Sequence, residues 1–446
     1  MTMLLSYQLN KIFDCYYLAI QHVVHFLSYL PLYIAFLIFP FNSFAFELLD
    51  NLQVHGFASQ AMFLTSGNNM FGPSISNPSF AFTELGINGS WSPIPNLRFS
   101  MQILSRRAGD WHNGTPVIDF GLMDYSFNFK EDYRIGFRAG RVRQPYGLYN
   151  DTRDVAFTRP SILLPQSIYF EGTRDYTISA DGLLIYGESR KPWGNLTLEL
   201  FGGYERTDDQ DTQYSFLLEQ LPGSLQPNPG FIGRLNYESY DGNLRLALSG
   251  AYTSMNYKST HSLYEPSGGT IAFNPIVLSA QYNTEDWTFT SEYSPNYFNR
   301  SGLGINQIGI NRDFNIFGQS YYFQTAYRFA PKWELMARYD AMYPNSNDEN
   351  GNAFESNAIA NVLQFAKSNN LDSSQTAFAV SQVPPAFTQF AKTWTVGIRY
   401  DISPSMMIRA EYDYINGTAW ASNEANKDRT LRQYWDMFGF LVSLRF

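Results

Sequence analysis

Leu196, Leu198, Leu200, Gly202 and Tyr204 alternate with Thr197, Glu199 and Phe201, so one face of this segment is apolar and the other carries its polar groups. The same period of two returns in Leu244, Leu246, Leu248, Gly250 and Tyr252 around Arg245, Ser249 and Thr253. It appears again in Trp394, Val396, Ile398 and Tyr400 around Thr395, Arg399 and Asp401, and in Met406, Ile408, Ala410, Tyr412 and Tyr414 around Arg409, Glu411 and Asp413. Successive side chains of a strand point to opposite faces, so such segments want lipid on one side and water on the other. Beyond Ala45 no stretch approaches the roughly 18 consecutive apolar residues of a membrane helix.

Segments of this kind recur at residues 51–64, 80–91, 97–105, 117–129, 133–143, 175–187, 196–205, 231–239, 243–256, 271–283, 287–297, 315–329, 333–343, 393–401, 406–415 and 433–446. Their connections alternate in length: 130–132, 241–242, 284–286, 330–332 and 402–405 are short, while 144–174 and 344–392 are the longest on the opposite rim. The pattern predicts an all-β fold, a transmembrane antiparallel β-barrel of about sixteen strands over residues 46–446, with periplasmic turns and long extracellular loops. Trp91, Phe129, Tyr133, Trp193, Trp287, Phe329 and Trp333 crowd the short turns, the height at which an aromatic girdle meets the headgroups. Aromatic residues make up 17% of the chain and charged ones 16%, a mixture that suits aromatic belts around a polar interior better than helical spans. A soluble β-sandwich, the main rival, has no need of so regular an alternation of turn lengths. Within 344–392, Phe354, Ile359, Val362, Leu363 and Ala366 fall on one face of a short helix over 353–368, read as an extracellular cap.

The one long apolar stretch, from about Phe26 to Phe46, ends in Ser43, Phe44 and Ala45, with small residues at the -3 and -1 offsets of a cleavage site; residues 1–45 are predicted to be a signal peptide. Lys11 is the only Lys or Arg in the long leader, which suggests a start codon placed too far upstream. Pro31 and Pro40 weigh against the alternative, an uncleaved anchor helix. The single cysteine, Cys15, would leave with the leader, and a thiol-free chain suits an oxidising periplasm. A formal net charge of -9 offers no footprint for nucleic acid.

The chain ends on Phe438, Phe440, Val442, Leu444 and Phe446, an alternating strand closing on an aromatic. This resembles the C-terminal signature of bacterial outer-membrane proteins read by the barrel-assembly machinery, which marks Phe446 as an assembly signal. GRVRQPYGLYN, from Gly140 to Asn150, is similar to the strand end and loop start of sixteen-stranded porins, a superfamily that includes the phosphate-selective porins O and P. The resemblance implies a Gram-negative outer-membrane channel for passive diffusion of small hydrophilic solutes or ions. It also implies a third loop folded into the barrel, a homotrimer, contact with outer-membrane lipids, and no cofactor. The dense Arg ladder and Lys cluster of a phosphate channel are not seen, so phosphate is not carried over as solute.

A pore needs a polar wall and a constriction whose charges select what enters. Tyr133, Ile135, Phe137 and Ala139 share one face, which sends Arg134 and Arg138 to the lumen. Arg245, Arg338, Arg399 and Arg409 sit likewise on polar faces, and the third loop offers Asp151, Asp154 and Glu171 opposite them. Cationic wall against anionic loop would set a transverse field; the alternative is that these charges pair, with Arg159 and Arg174, to pin the loop. Parity turns Arg141 and Arg143 toward lipid, unless a bulge at Gly140 redirects them. Gly56 and Ala58 would permit close subunit contact. His55, His112 and His261 are scattered, and GxSxG is absent, so neither an enzyme nor a transition-metal site is expected. Asp208, Asp209 and Asp211 are read as a solvated acidic loop. A substrate-specific channel and a purely structural barrel stay open as alternatives.

Overall fold

The computed structural model describes residues 51–207, 210–217, 221–261, 266–304, 313–421, 424–427 and 430–446. The predicted signal segment 1–45 with its cleavage site and Cys15 lies outside the described residues, as do Asp208, Asp209 and the side chain of Asp211.

Among the described residues, seventeen strands join in one antiparallel sheet. Sixteen form the wall of a closed barrel: β1 (Leu52–Thr65), β2 (Ser79–Ile94), β3 (Leu97–Ala108), β4 (Asn113–Lys130), β5 (Tyr133–Arg143), β6 (Ser179–Lys191), β7 (Gly194–Glu205), β9 (Gly230–Ser239), β10 (Leu244–Lys258), β11 (Gly269–Asn283), β12 (Trp287–Ser301), β13 (Phe314–Ala330), β14 (Trp333–Tyr343), β15 (Ala391–Ser403), β16 (Met406–Gly417) and β17 (Tyr434–Arg445). The short β8 (Ser224–Pro227) pairs with the end of β10 beyond the reach of β9. Closure comes from β1, which pairs with β2 on one side and with β17 on the other, Phe57 opposite Arg445 and Thr65 opposite Met437. Closing the sheet removes the unpaired edge that lipid cannot satisfy.

The period of two becomes inside and outside. Leu246 and Leu248 stand exposed while Ala247 and Ser249 are buried, and Leu198 and Leu200 stand exposed while Glu199 and Phe201 are buried. An exterior this apolar is at rest only in hydrocarbon. Short turns join the strands at one rim, as at Lys130–Tyr133, Ala330–Trp333 and Ser403–Met406. Trp91, Phe129, Tyr133, Trp193, Trp287, Phe329 and Trp333 all stand exposed beside these turns. Several meet aromatics of the next strand: Trp287 stacks on Tyr327 with ring centres 4.2 Å apart, and Trp333 lies tilted against Tyr400 at 4.4 Å.

The predicted sixth strand begins too early. Residues Arg174–Ile178 form a helical turn, and β6 starts at Ser179, because Tyr176 and Ile178 bury themselves among lumenal side chains instead of alternating between lipid and water. The long loop after β14 carries the expected helix, Asn352–Ser368, and a second one, Ser373–Ser381, whose N-terminus is closed by an Asp372–Gln375 capping box.

Candidate functional site

Residues 144–178 leave the top of β5 and enter the lumen before the chain returns in β6. The ends of this loop are held together by Asn150, whose Nδ2 donates to the carbonyls of Gln144 and Thr177, both at 2.9 Å. Inside a barrel the loop's backbone must find partners other than bulk water. The wall supplies them. Glu292 on β12 accepts the N–H of Leu148 at 3.0 Å, Asp340 on β14 that of Gln166 at 3.1 Å, and Glu411 on β16 that of Ile162 at 2.7 Å. Arginines serve the carbonyls: Arg234 donates to Gly147 at 3.0 Å, Arg338 to Leu163 at 3.1 Å, Arg409 to Ser161 at 2.9 Å and Arg399 to Phe157 at 3.3 Å.

Apolar contacts follow the same route. Tyr146, Leu148, Tyr149, Leu164, Ile168 and Tyr169 pack on Ala247, Val277 and Tyr322, on the β10 to β13 side. Ala156, Phe157, Ile162 and Leu163 pack on Phe63, Met407, Met437 and Leu441, on the β16, β17 and β1 side. The loop therefore reaches both flanks of the lumen far from its own strands.

Buried charges complete the attachment. Arg106 on β3 donates to Glu84 at 3.1 Å and to Glu171 at 2.5 Å, while Arg159 reaches Glu84 at 2.8 Å. Arg153 binds Glu171 at 3.3 Å and the carbonyl of Tyr169 at 2.7 Å. Asp154 lies between Arg143 and Arg174, and Asp119 shares Arg143 with it. Burial opposes charge on Glu171, but Arg106, Arg153 and Arg174 outweigh it and hold the carboxyl at about 2. Arg174 and Arg143 likewise hold the buried Asp154 well below the usual carboxylate range. Burial, with help from Arg106, lowers His112 to about 3, although Asp175 stands 4.0 Å away.

The predicted pore residues thus separate into two groups. Asp154, Glu171, Arg338 and Arg409 are buried and engaged with the loop or its anchors, and Arg399 is bound to Asp401 and stacked on Phe157. Arg134, Arg138 and Asp151 keep side-chain exposures of 33%, 31% and 38%, and Arg245 is half-buried against Asn236 at 3.1 Å. Arg141 does face outward, where it is bound through two nitrogens by Asp181, directly opposite on β6, and by the carbonyl of Ile118. Arg143 does not follow parity: it reaches the lumenal Asp119 and Asp154. It does so from the last position of β5, opposite Ser179, with the pairing to β6 unbroken from Gly140 to Arg143. Gly140, at φ +122, precedes both arginines, and a Cβ there would meet the carbonyl oxygen of Gly121 at 2.4 Å. Sequence reasoning missed Glu84, Arg106, Asp119, Arg153, Glu292, Asp340 and Glu411 as loop anchors. The period of two places the wall members of that set inside, but it does not say what they hold.

His55 lies on β1, His112 just before β4 and His261 beyond β10. Among the described residues no three His, Cys, Asp or Glu side chains gather to hold a metal ion.

No protein-family model matches the chain, and no curated protein sequence does. Solved structures do. The outer membrane channel DcaP of Acinetobacter baumannii superposes over 90% of this chain and 99% of its own, with a TM-score of 0.52 and 10% identity. The anion-selective porin of Comamonas acidovorans covers 88% of this chain and 98% of its own, with a TM-score of 0.50 and 14% identity. OmpF of Salmonella typhi, solved with daunomycin, covers 89% and 97%, with a TM-score of 0.50 and 13% identity. The chain has the fold of the outer-membrane porins.

Proposed function

We propose that the protein is a porin of the Gram-negative outer membrane, passing small hydrophilic solutes or ions by passive diffusion along a water-filled lumen narrowed by residues 144–178. The observation that carries this reading is the loop itself, anchored across the lumen to Glu292, Arg338 and Glu411 while Arg134, Arg138 and Asp151 stay open to water. In this reading the protein has no catalytic role and needs no cofactor. It is exported by cleavage after Ala45, inserted by the barrel-assembly machinery, and assembled as a homotrimer in contact with outer-membrane lipids. Ala58, alternating on β1 with the buried Phe57 and Ser59, offers a small outer residue to a neighbouring copy, whereas Gly56 is itself buried.

A narrower, substrate-specific channel is the second reading. Glu292, Tyr322, Arg338 and Glu411, which would line an open bore, are buried instead. Single-channel recording in planar bilayers tests both readings. A stepwise ohmic conductance supports a general pore, a small conductance blocked saturably by one solute supports a specific channel, and a silent barrel defeats both.

A further inference from the structure

One side of the lumen carries charges of alternating sign. Asp151 of the loop lies 2.8 Å from Arg234, and Arg234 lies 2.6 Å from Glu199. Glu199 lies 3.5 Å from Arg138, and Arg138 lies 3.2 Å from Asp124. The hydroxyl of Tyr186 donates to Asp124 at 2.8 Å, and its ring lies under the guanidinium groups of both Arg138 and Arg134, at 4.8 and 5.8 Å. Below it Arg134 lies 3.9 Å from Glu188, and Glu188 lies 3.1 Å from Arg190, next to the short turn before β7. The series runs from the loop to the periplasmic rim, and four acids match four arginines along it.

Such a wall has little net sign with which to favour a simple anion or a simple cation. Its outer members are also only partly buried, so their pairs are weak and exchange with water on side-chain timescales. A solute bearing both an ammonium and a carboxylate can exchange into these pairs, carboxylate to arginine and ammonium to acid, recovering in each step what it loses in hydration. An uncharged solute of the same size has no such compensation, and an ion of one sign satisfies only half of each pair it opens.

We propose that this series, with Asp151, Arg138, Asp124, Arg134, Glu188 and Arg190 as its accessible members and the buried Arg234 and Glu199 holding them in line, is a track for zwitterionic solutes, amino acids and short peptides in their dipolar form. This rests on the channel reading above. The test is osmotic swelling of phosphatidylcholine liposomes containing the purified full chain, with the dipeptide diglycine and the uncharged N-acetylglycinamide as probes of closely similar size. Diglycine should enter several-fold faster. In Arg138→Gln/Asp124→Asn, which removes one pair without changing net charge, the ratio should fall toward one; heat-modifiable migration on gels verifies that the barrel has folded. Arg134→Gln/Glu188→Gln makes the same test independently at the lower pair. Equal rates in the wild type, or a ratio that survives both double variants, would overturn the track. Entry of neither probe would instead defeat the channel reading itself.

Discussion

Glu411 on β16 accepts the backbone N–H of Ile162 at 2.7 Å, and beside it Arg338 on β14 donates to the backbone carbonyl of Leu163 at 3.1 Å. Two wall strands therefore grip successive residues of the loop, and neither contact depends on the loop's side chains. Glu411→Ala should orphan the buried N–H of Ile162 at a cost of about 1 to 3 kcal/mol, while Arg338→Ala should cost less, because the Leu163 carbonyl keeps the Ser161 hydroxyl at 2.6 Å. The expected result is a barrel that still inserts but whose loop is cut faster by protease and whose single-channel current is larger and noisier. Unchanged cleavage and current in both variants would show that the apolar contacts alone hold the loop.

Acid should loosen the same loop from its β3 side. Glu171 titrates at about 2 in the folded chain against 4.5 for a free glutamate, so its contribution is complete above 4.5 and is lost as pH falls through 2. His112 is held neutral, at about 3 against 6.5. The unfolded chain takes up that proton from pH 6.5 downward while the folded one does not, which also lowers stability toward acid. The temperature of heat-modifiable migration should fall progressively from pH 6.5 to 2, and Glu171→Gln should flatten the lower part of that curve. A flat profile in the wild type would contradict the pairing described for Arg106 and Glu171.

Assembly should depend on the last residue. Arg445 is the final residue of β17 in register with β1, opposite Phe57, and Phe446 beyond it is exposed; in the porin reading proposed above this is the end presented to the assembly machinery. Deleting Phe446 should reduce insertion and leave unfolded chain in the periplasm, read as loss of heat-modifiable migration. Normal insertion of the truncated chain would remove its role as a signal.

Much of the wall is legible in the sequence because parity is a local property: Leu246 and Leu248 must face away from Arg245 and Ser249 whatever the rest of the chain does. The helix Asn352–Ser368 is legible for the same reason, but its packed face is not: Phe354 and Leu363 stand exposed and only Ala366 is buried. The loop is not. The sequence leaves Asp154 and Glu171 open between pore acids and loop pins: Arg174 does pair with Asp154, but Arg143 and Arg106 become partners only once the loop folds back into the lumen. Strict alternation misdirects Arg143 because this residue stands at the last position of β5, where its side chain turns over the strand end to Asp119 and Asp154. Tyr176 and Ile178 read as strand because the segment's apolar spacing does not distinguish a lipid-facing side chain from one packed under the loop.

Selectivity separates the acids that anchor from the acid that faces water. Arg134→Ala/Arg138→Ala leaves Asp124, Glu188 and Glu199 without these counter-charges, so the reversal potential in a salt gradient should move toward cations. Asp151→Ala should move it toward anions, because Asp151 is the accessible loop acid, 38% exposed beside Arg234. Both shifts should shrink with ionic strength, as the Debye length falls from about 10 Å at 0.1 M to about 3 Å at 1 M. Asp154→Ala and Glu171→Ala should behave differently. Glu171→Ala takes from the buried Arg153 its acid, a loss of about 3 to 5 kcal/mol, and Asp154→Ala costs less because Arg143 keeps Asp119 and Arg174 keeps Asp175. Both should appear as loop cleavage and current noise rather than as a change of ion preference. If instead these two variants shift the reversal potential as Asp151→Ala does while the loop stays protease-resistant, the anchors and the eyelet are the same residues, and the division of roles along the loop is wrong.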